Sequence, residues 1–176
     1  TRSAMRKVFL IFSISSLLIS ESIFPVTFSS DIEVIKSGEL ISQSKIIKNE
    51  NNFIYKTDYP YSQSVYIVDD NIYIQDDDFK QVSKSENLNI IPIMSIFKGE
   101  YDFESYECNG SICFLNITPI DGVSSLLIVK NQDQIKEVSY FSLDYQSYKL
   151  KFKNFLMETV KINYMPPEGY EFIEYD

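Results

Sequence analysis

Few residues of this chain are equipped for covalent chemistry. It contains no His, so the commonest general base and the commonest metal ligand are both missing. Serines are plentiful, but no base of the right kind stands ready to activate one. Carboxylates gather at Asp69-Asp70 and at Asp76-Asp77-Asp78. Both runs sit in turn-like contexts and read as solvated faces rather than as a calcium site. No Gly-rich phosphate loop occurs. Cys108 and Cys113 flank Asn109-Gly110-Ser111-Ile112, and Asn-Gly is a strong hairpin signal. A four-residue loop would set the two thiols opposite each other, near enough for a cross-strand disulfide in an oxidising compartment. The alternative is a pair of reduced thiols that merely pack. Nothing resembles a CxxC redox motif or a zinc site. Lys149, Lys151 and Lys153 share one strand face, which can touch anionic lipid but more often marks the solvent side. Neither catalysis nor a cofactor nor a metal is expected from these parts. What remains is apolar surface.

The whole composition agrees with that. A length of 176 residues fits one domain with a real core. Thirteen Phe and thirteen Tyr occur with no Trp, and these rings favour strands and large apolar surfaces. A formal net charge of -9 argues against binding to a phosphate backbone, which needs a basic face. Residues 1–20 read as a leader. Arg6 and Lys7 precede the apolar run Val8 to Ile19. That run is short for a membrane span, which needs about 20 residues, and suits a signal peptide. An uncleaved N-terminal anchor and a helix of the mature fold are the rival readings. Residues 21–176 are expected to form a single domain.

Beyond the leader, nearly every segment predicts a strand. Phe24 to Ser29, Leu40 to Ile47, Asn52 to Lys56, Ser64 to Val68, Ile72 to Gln75 and Phe79 to Val82 come first. Asp102 to Glu107 and Ile112 to Thr118 follow as the Cys hairpin, then Ser124 to Lys130 and Ile135 to Leu143. Ser147 to Lys153 alternates most cleanly, and Glu158 to Tyr164 repeats the pattern with Val160, Ile162 and Tyr164. Tyr170 to Tyr175 closes the chain after a Pro166-Pro167-Glu168-Gly169 turn. One segment differs: Ile90, Ile93, Met94 and Phe97 recur at helical spacing, with Pro92 near the start and Gly99 past the end. About ten strands on short turns predict a mainly β fold. The expected form is one strongly curved antiparallel sheet, an incomplete barrel with a short helical lid. Such a sheet either closes on its own side chains or holds a ligand cavity under the helix.

Several motifs in order resemble the outer-membrane lipoprotein carrier (LolA-type) family. They are Phe24-x-x-x-Phe28, Asn52-Phe53-Ile54-Tyr55-Lys56-Thr57-Asp58-Tyr59-Pro60, and the hairpin Val65 to Ile74 with Asp70-Asn71 in its turn and Tyr73 in an aromatic slot. Then come Asp76 to Val82, the Pro92-started helix, Leu115-Asn116-Ile117-Thr118-Pro119 and Ile162-Asn163-Tyr164-Met165-Pro166-Pro167-Glu168-Gly169. The resemblance implies a monomeric, non-enzymatic carrier in the Gram-negative periplasm. It would take acylated lipoproteins from an inner-membrane lipoprotein-releasing ABC transporter and pass them to an outer-membrane lipoprotein receptor. It implies an acyl-chain cavity touched by Phe53, Tyr55, Val65, Ile67, Tyr73, Ile93, Met94 and Phe97. Phe53 would also govern handover, so that a Phe53→Glu variant fails at that step. Lys48 and Asn49 stand where many members carry an Arg that holds the lid. Lys supplies a point charge without the planar fork. The family's helix before the first strand has no separate counterpart between the leader and Phe24. The alternative use of the same half-barrel is a sensor or interaction module of envelope stress signalling, with protein partners and no lipid cargo.

Overall fold

The computed structural model describes residues 22–86, 91–132 and 134–173; the leader expected over residues 1–20 and Ile90 lie outside them. The described chain forms one open, curved, twelve-stranded sheet. Its first half is a meander of β1 (Thr27–Lys36), β2 (Glu39–Asn49), β3 (Asn52–Tyr59), β4 (Gln63–Val68), β5 (Asn71–Asp76) and β6 (Gln81–Ser85). A five-residue helix, α1 (Met94–Lys98), leads to the second meander. That one runs through β7 (Phe103–Asn109), β8 (Ile112–Ile120), β9 (Val123–Asn131), β10 (Gln134–Phe141) and β11 (Ser147–Leu156). β11 returns to pair antiparallel with β1, which joins the halves edge to edge. A short β12 (Glu171–Ile173) pairs parallel with β6, so β12 and β7 are the free ends and the sheet does not close. None of the helices among the described residues is long and apolar enough to cross a membrane.

Tight turns set this register. Asn49 faces Asn52 across Glu50-Asn51, and Val68 faces Asn71 across Asp69-Asp70. Glu50, Asp69 and Asp70 take positive φ, the backbone that a two-residue hairpin twisted with its strands demands. The Cys hairpin turns on Gly110-Ser111, one pair tighter than its loop suggested, and Cys108 lies directly opposite Cys113. The two are bonded.

Alternation along each strand sends one set of side chains inward. Phe28, Lys48, Phe53, Ile67 and Ile72 lie in one cross-strand row, and Ser30, Ile46, Tyr55, Val65 and Ile74 in the next. From the second half come Leu115, Ile117, Leu126, Ile128, Val138, Leu150 and Phe152, all buried in the same core. A bulge breaks the phase in β11. Asn154 takes φ 52, and the register shifts between Ser29↔Leu156 and Asp31↔Lys153. The extra residue turns Phe155 inward, where it is 3% exposed.

The segment Glu158 to Tyr164, expected as a strand, pairs with nothing. It is an extended strap that crosses the outer face of the first half. Glu158 accepts a hydrogen bond from the Ser29 hydroxyl (2.7 Å), and Asn49 Nδ2 donates to the Val160 carbonyl (2.8 Å). Ile162 is buried. The Tyr164 ring lies 4.4 Å from Tyr66 and 4.7 Å from Tyr73, and its hydroxyl donates to Gln75 Oε1 (3.2 Å). The Tyr170 hydroxyl then reaches Asp77 (2.9 Å), and β12 docks on β6. The two-residue period is therefore real, but it comes from an extended chain lying flat on a sheet rather than from a ladder.

Candidate ligand-binding site on the inner face

The inner face is covered by parts of the chain that belong to no strand. Residues Ile23 and Phe24, just before β1, and Ile91 to Phe97 around α1 pack onto it. Phe24 lies 4.6 Å from Phe97, 5.8 Å from Phe28 and 5.8 Å from Phe152 by ring centroid. Phe28 stacks on Phe155 at 5.0 Å. The hollow with room for a guest that the sequence leads one to expect is thus closed in this structure, filled by the protein's own rings. Of the residues expected to touch acyl chains, Phe53, Tyr55, Val65 and Ile67 point inward from β3 and β4, and Ile93, Met94 and Phe97 meet them from the covering segment. Tyr73 does not join them. It faces Tyr66 across β4 and β5 on the outer side, one residue out of phase with Ile72 and Ile74, and stacks on Tyr164 of the strap.

The cover is held by burial rather than by helix stability, with Phe24, Met94, Ile96 and Phe97 at most 1% exposed. A helix of this length is not stable alone in water, so tertiary packing holds it. Its N-cap, Ile93, takes φ 49 and supplies no side-chain cap. A β-branched residue in the left-handed region carries a cost of order 1–3 kcal/mol. The cap comes from elsewhere: Asp121, in the turn between β8 and β9, accepts the Ser95 N–H at 3.1 Å. The helix stops at Gly99, whose φ of 81 suits a left-handed C-cap. A Cβ at Gly99 would stand 3.2 Å from the Ser22 hydroxyl oxygen, so the helix end and the N-terminal segment meet closely. There the Ile23 N–H donates to the Tyr101 hydroxyl at 3.1 Å.

Lys48 and Asn49 hold different things from a helical lid. The Lys48 side chain points inward and is 4% exposed. Its Nζ donates to the carbonyls of Pro25 (3.0 Å) and Val26 (3.3 Å) and stands 5.9 Å from the Phe53 ring. Burial lowers its pKa, because the charged ammonium is poorly solvated there. It ties the N-terminal segment, not α1, to the sheet. Asn49 points outward and ties the strap.

A cleft of about 750 Å³ opens beside the covered core. Its walls are Ile91 to Ile93, the Asp121-Gly122 turn, Tyr140, Tyr148 and the loop Ser142 to Asp144. Tyr140 and Tyr148 stack in parallel at 5.2 Å. The sequence pattern assigned Tyr140 and Tyr148 no role beyond their strands, and it assigned none to Asp121. Their signal was weak, because the β8–β9 and β10–β11 turns meet only in the folded sheet.

Burial raises the pKa of Tyr55, Tyr101 and Tyr140, and pushes that of Tyr164 up to about 12. A group with a raised folded pKa contributes stability that is complete below its unfolded value, about 10, and is lost as pH climbs through the folded value. Lys48 acts oppositely below about 10.5, since its unfolded state holds the proton longer. Stability is therefore expected to fall as pH climbs above about 10, read as a falling urea midpoint of the β-sheet circular dichroism. A midpoint that holds steady above that pH would contradict this.

No protein-family model matches the chain, and no curated protein matches it. Among solved structures it is similar to an uncharacterised conserved protein from Thermus thermophilus. The identity is 10% and the TM-score 0.57, over 89% of this chain and 94% of that one. This likeness extends to the fold alone. A LolA superfamily protein from Nitrosomonas europaea aligns at 12% identity and a TM-score of 0.48, over 81% of this chain and 91% of that one. At that score it does not bear on function.

Proposed function

We propose that the protein is a carrier that shelters acyl chains against the inner face of its sheet, under a cover formed by Ile23-Phe24 and α1. The reading takes it to be a non-enzymatic, monomeric carrier of acylated lipoproteins in the periplasm. There it would receive cargo from an inner-membrane lipoprotein-releasing ABC transporter and deliver it to an outer-membrane receptor. One observation supports it above the rest. The inner face is largely apolar across both halves, and what covers it is a five-residue helix with a strained N-cap, capped from another hairpin, beside the apolar pair Ile23-Phe24. Such a cover belongs to no strand, so displacing it would leave the hydrogen bonds of the sheet intact. Each CH₂ buried in the space it vacates contributes about 0.8 kcal/mol, so a long acyl chain can replace the rings.

The test is uptake of a fluorescent apolar dye and its displacement by a synthetic diacylated lipopeptide, with native mass spectrometry of the purified protein for bound lipid. The expected result is saturable dye binding that the lipopeptide competes away. If no dye, lipopeptide or lipid binds, the carrier reading fails. A second reading is favoured by the outer face of the second half, where Ile112, Phe114 and Phe141 are all exposed. Exposed apolar patches of this kind mark protein contacts, as an interaction module without lipid cargo would need. Capture of a defined envelope protein by a chain that binds no lipid would select it.

A further inference from the structure

The cleft beside the core has a polarity of its own, and it continues into the covered face. Its floor is shared with the core, since Ile91, Ile93 and Tyr140 belong to both. Tyr140 is only 8% exposed, and its hydroxyl donates to no described residue. The groups nearest to that hydroxyl electrostatically are Tyr148, Tyr55 and Asp121. From the first half, Tyr55 brings its own hydroxyl to Ser44 and Ser42, and Ser44 lies 3.2 Å from Thr57. The hydroxyls of Tyr140 and Tyr55 thus approach each other where the core adjoins the cleft, while phenylalanine rings fill the interior behind them. The charges at this mouth are acidic. Asp121 and Asp144 line it, and among the described residues no Lys or Arg does. The Ser142 hydroxyl, donating to Asp144, holds that carboxyl below the usual range. Lys36 stands outside the lining, 5.4 Å from the Tyr148 ring and near enough to Asp144 to offset part of its charge. Asp121 makes no ion pair among the described residues.

Resting on the carrier reading, we infer that this cleft seats the polar head of the bound amphiphile and selects uncharged, hydrogen-bonding heads such as glycerol esters over anionic ones. An acyl chain passing beneath Ile93 would leave its ester and hydroxyl groups in the cleft beside the stacked pair of Tyr140 and Tyr148, against their exposed edges. There the Tyr140 hydroxyl gains an acceptor, and the tyrosine edges pack the glycerol carbons. A carboxylate or phosphate head in the same place would meet the Asp121 and Asp144 carboxylates, with Lys36 the cation at hand and already offsetting Asp144.

The test compares two probes of equal chain length, monopalmitoylglycerol and palmitate, in mildly alkaline buffer and below their aggregation limits. Binding is read by displacement of the apolar dye from the full chain. The wild type is expected to bind the glycerol ester roughly tenfold more tightly, the size of one like-charge contact in a partly screened site. Asp121→Asn keeps the acceptor for Ser95 and suits the positive φ of 51 at that position. It should strengthen palmitate binding until the preference falls to about twofold or less. Tyr140→Phe keeps the ring stack and removes the donor, and should weaken the glycerol ester by about fivefold, the worth of one neutral hydrogen bond. Equal binding of both probes by the wild type, or a preference untouched by Asp121→Asn, would overturn this inference and leave the carrier reading standing. If neither probe nor the dye binds, both fall together.

Discussion

Replacing Phe97 with Ala is expected to lower stability by about 3–5 kcal/mol, the usual cost of deleting a buried ring that its neighbours cannot replace. Phe97 is fully buried and lies within 4.6 to 6.5 Å of Phe24, Phe28 and Phe152 by ring centroid. Those rings are held by β1, β11 and the Lys48-tethered segment, so the space would collapse only in part. The loss should appear as a lower urea midpoint with an unchanged slope. The same substitution should raise affinity for an apolar dye, because an apolar void stays dry and takes apolar guests. The two changes must come together if the cover is what an acyl chain displaces. A variant that loses stability and gains no dye affinity would mean that Phe97 is an ordinary core residue and that the inner face never opens.

Much of this architecture is legible in the sequence, and the failures have physical causes. Strict alternation at Ser147 to Lys153 and turn residues at Asp69-Asp70 give β11 and the β4–β5 hairpin directly. Thr27–Lys36 is harder to read, because Ser29 and Ser30 are buried small polar residues. Burial of Ser29 depends on the strap, through Glu158, and that of Ser30 on β11, through the Lys153 carbonyl. Both partners are more than a hundred residues away. Tyr73 misleads for the same reason. Its rank as an aromatic in a hairpin is plain, but which face it takes depends on the register, and what covers it depends on Tyr164. The expected helix exists, yet its spacing said nothing of the left-handed start at Ile93 or of a cap supplied by Asp121. Phe53 carries a further lesson. It is fully buried opposite Lys48, so Phe53→Glu would disturb folding before it could report on handover, and partial truncations are the cleaner probes.

At Lys48 two substitutions should part widely. The ammonium is buried between Phe28 and Phe53 on neighbouring strands, and it makes no ion pair among the described residues. Its hydrogen bonds go to the Pro25 and Val26 carbonyls. Lys48→Glu puts a carboxylate, which cannot donate, beside two carbonyl oxygens in a dry site. An uncompensated buried charge of that kind costs about 3–5 kcal/mol, so the variant is expected to be largely unfolded or strongly destabilised. Lys48→Met keeps most of the length of the stem and removes the desolvated charge. The Val26 carbonyl still accepts from the Glu50 N–H at 2.9 Å, and half-exposed Pro25 can turn its carbonyl to water. The net change should stay within about 1 kcal/mol. The N-terminal segment, however, loses its tether, and dye uptake by Lys48→Met should be faster than by the wild type in stopped-flow mixing. Equal stability of the Glu and Met variants would show that water reaches position 48. A stable Met variant with unaltered uptake would show that the Pro25–Val26 tether does not limit opening, and the search for the latch would move to Asp121 and the first turn of the helix.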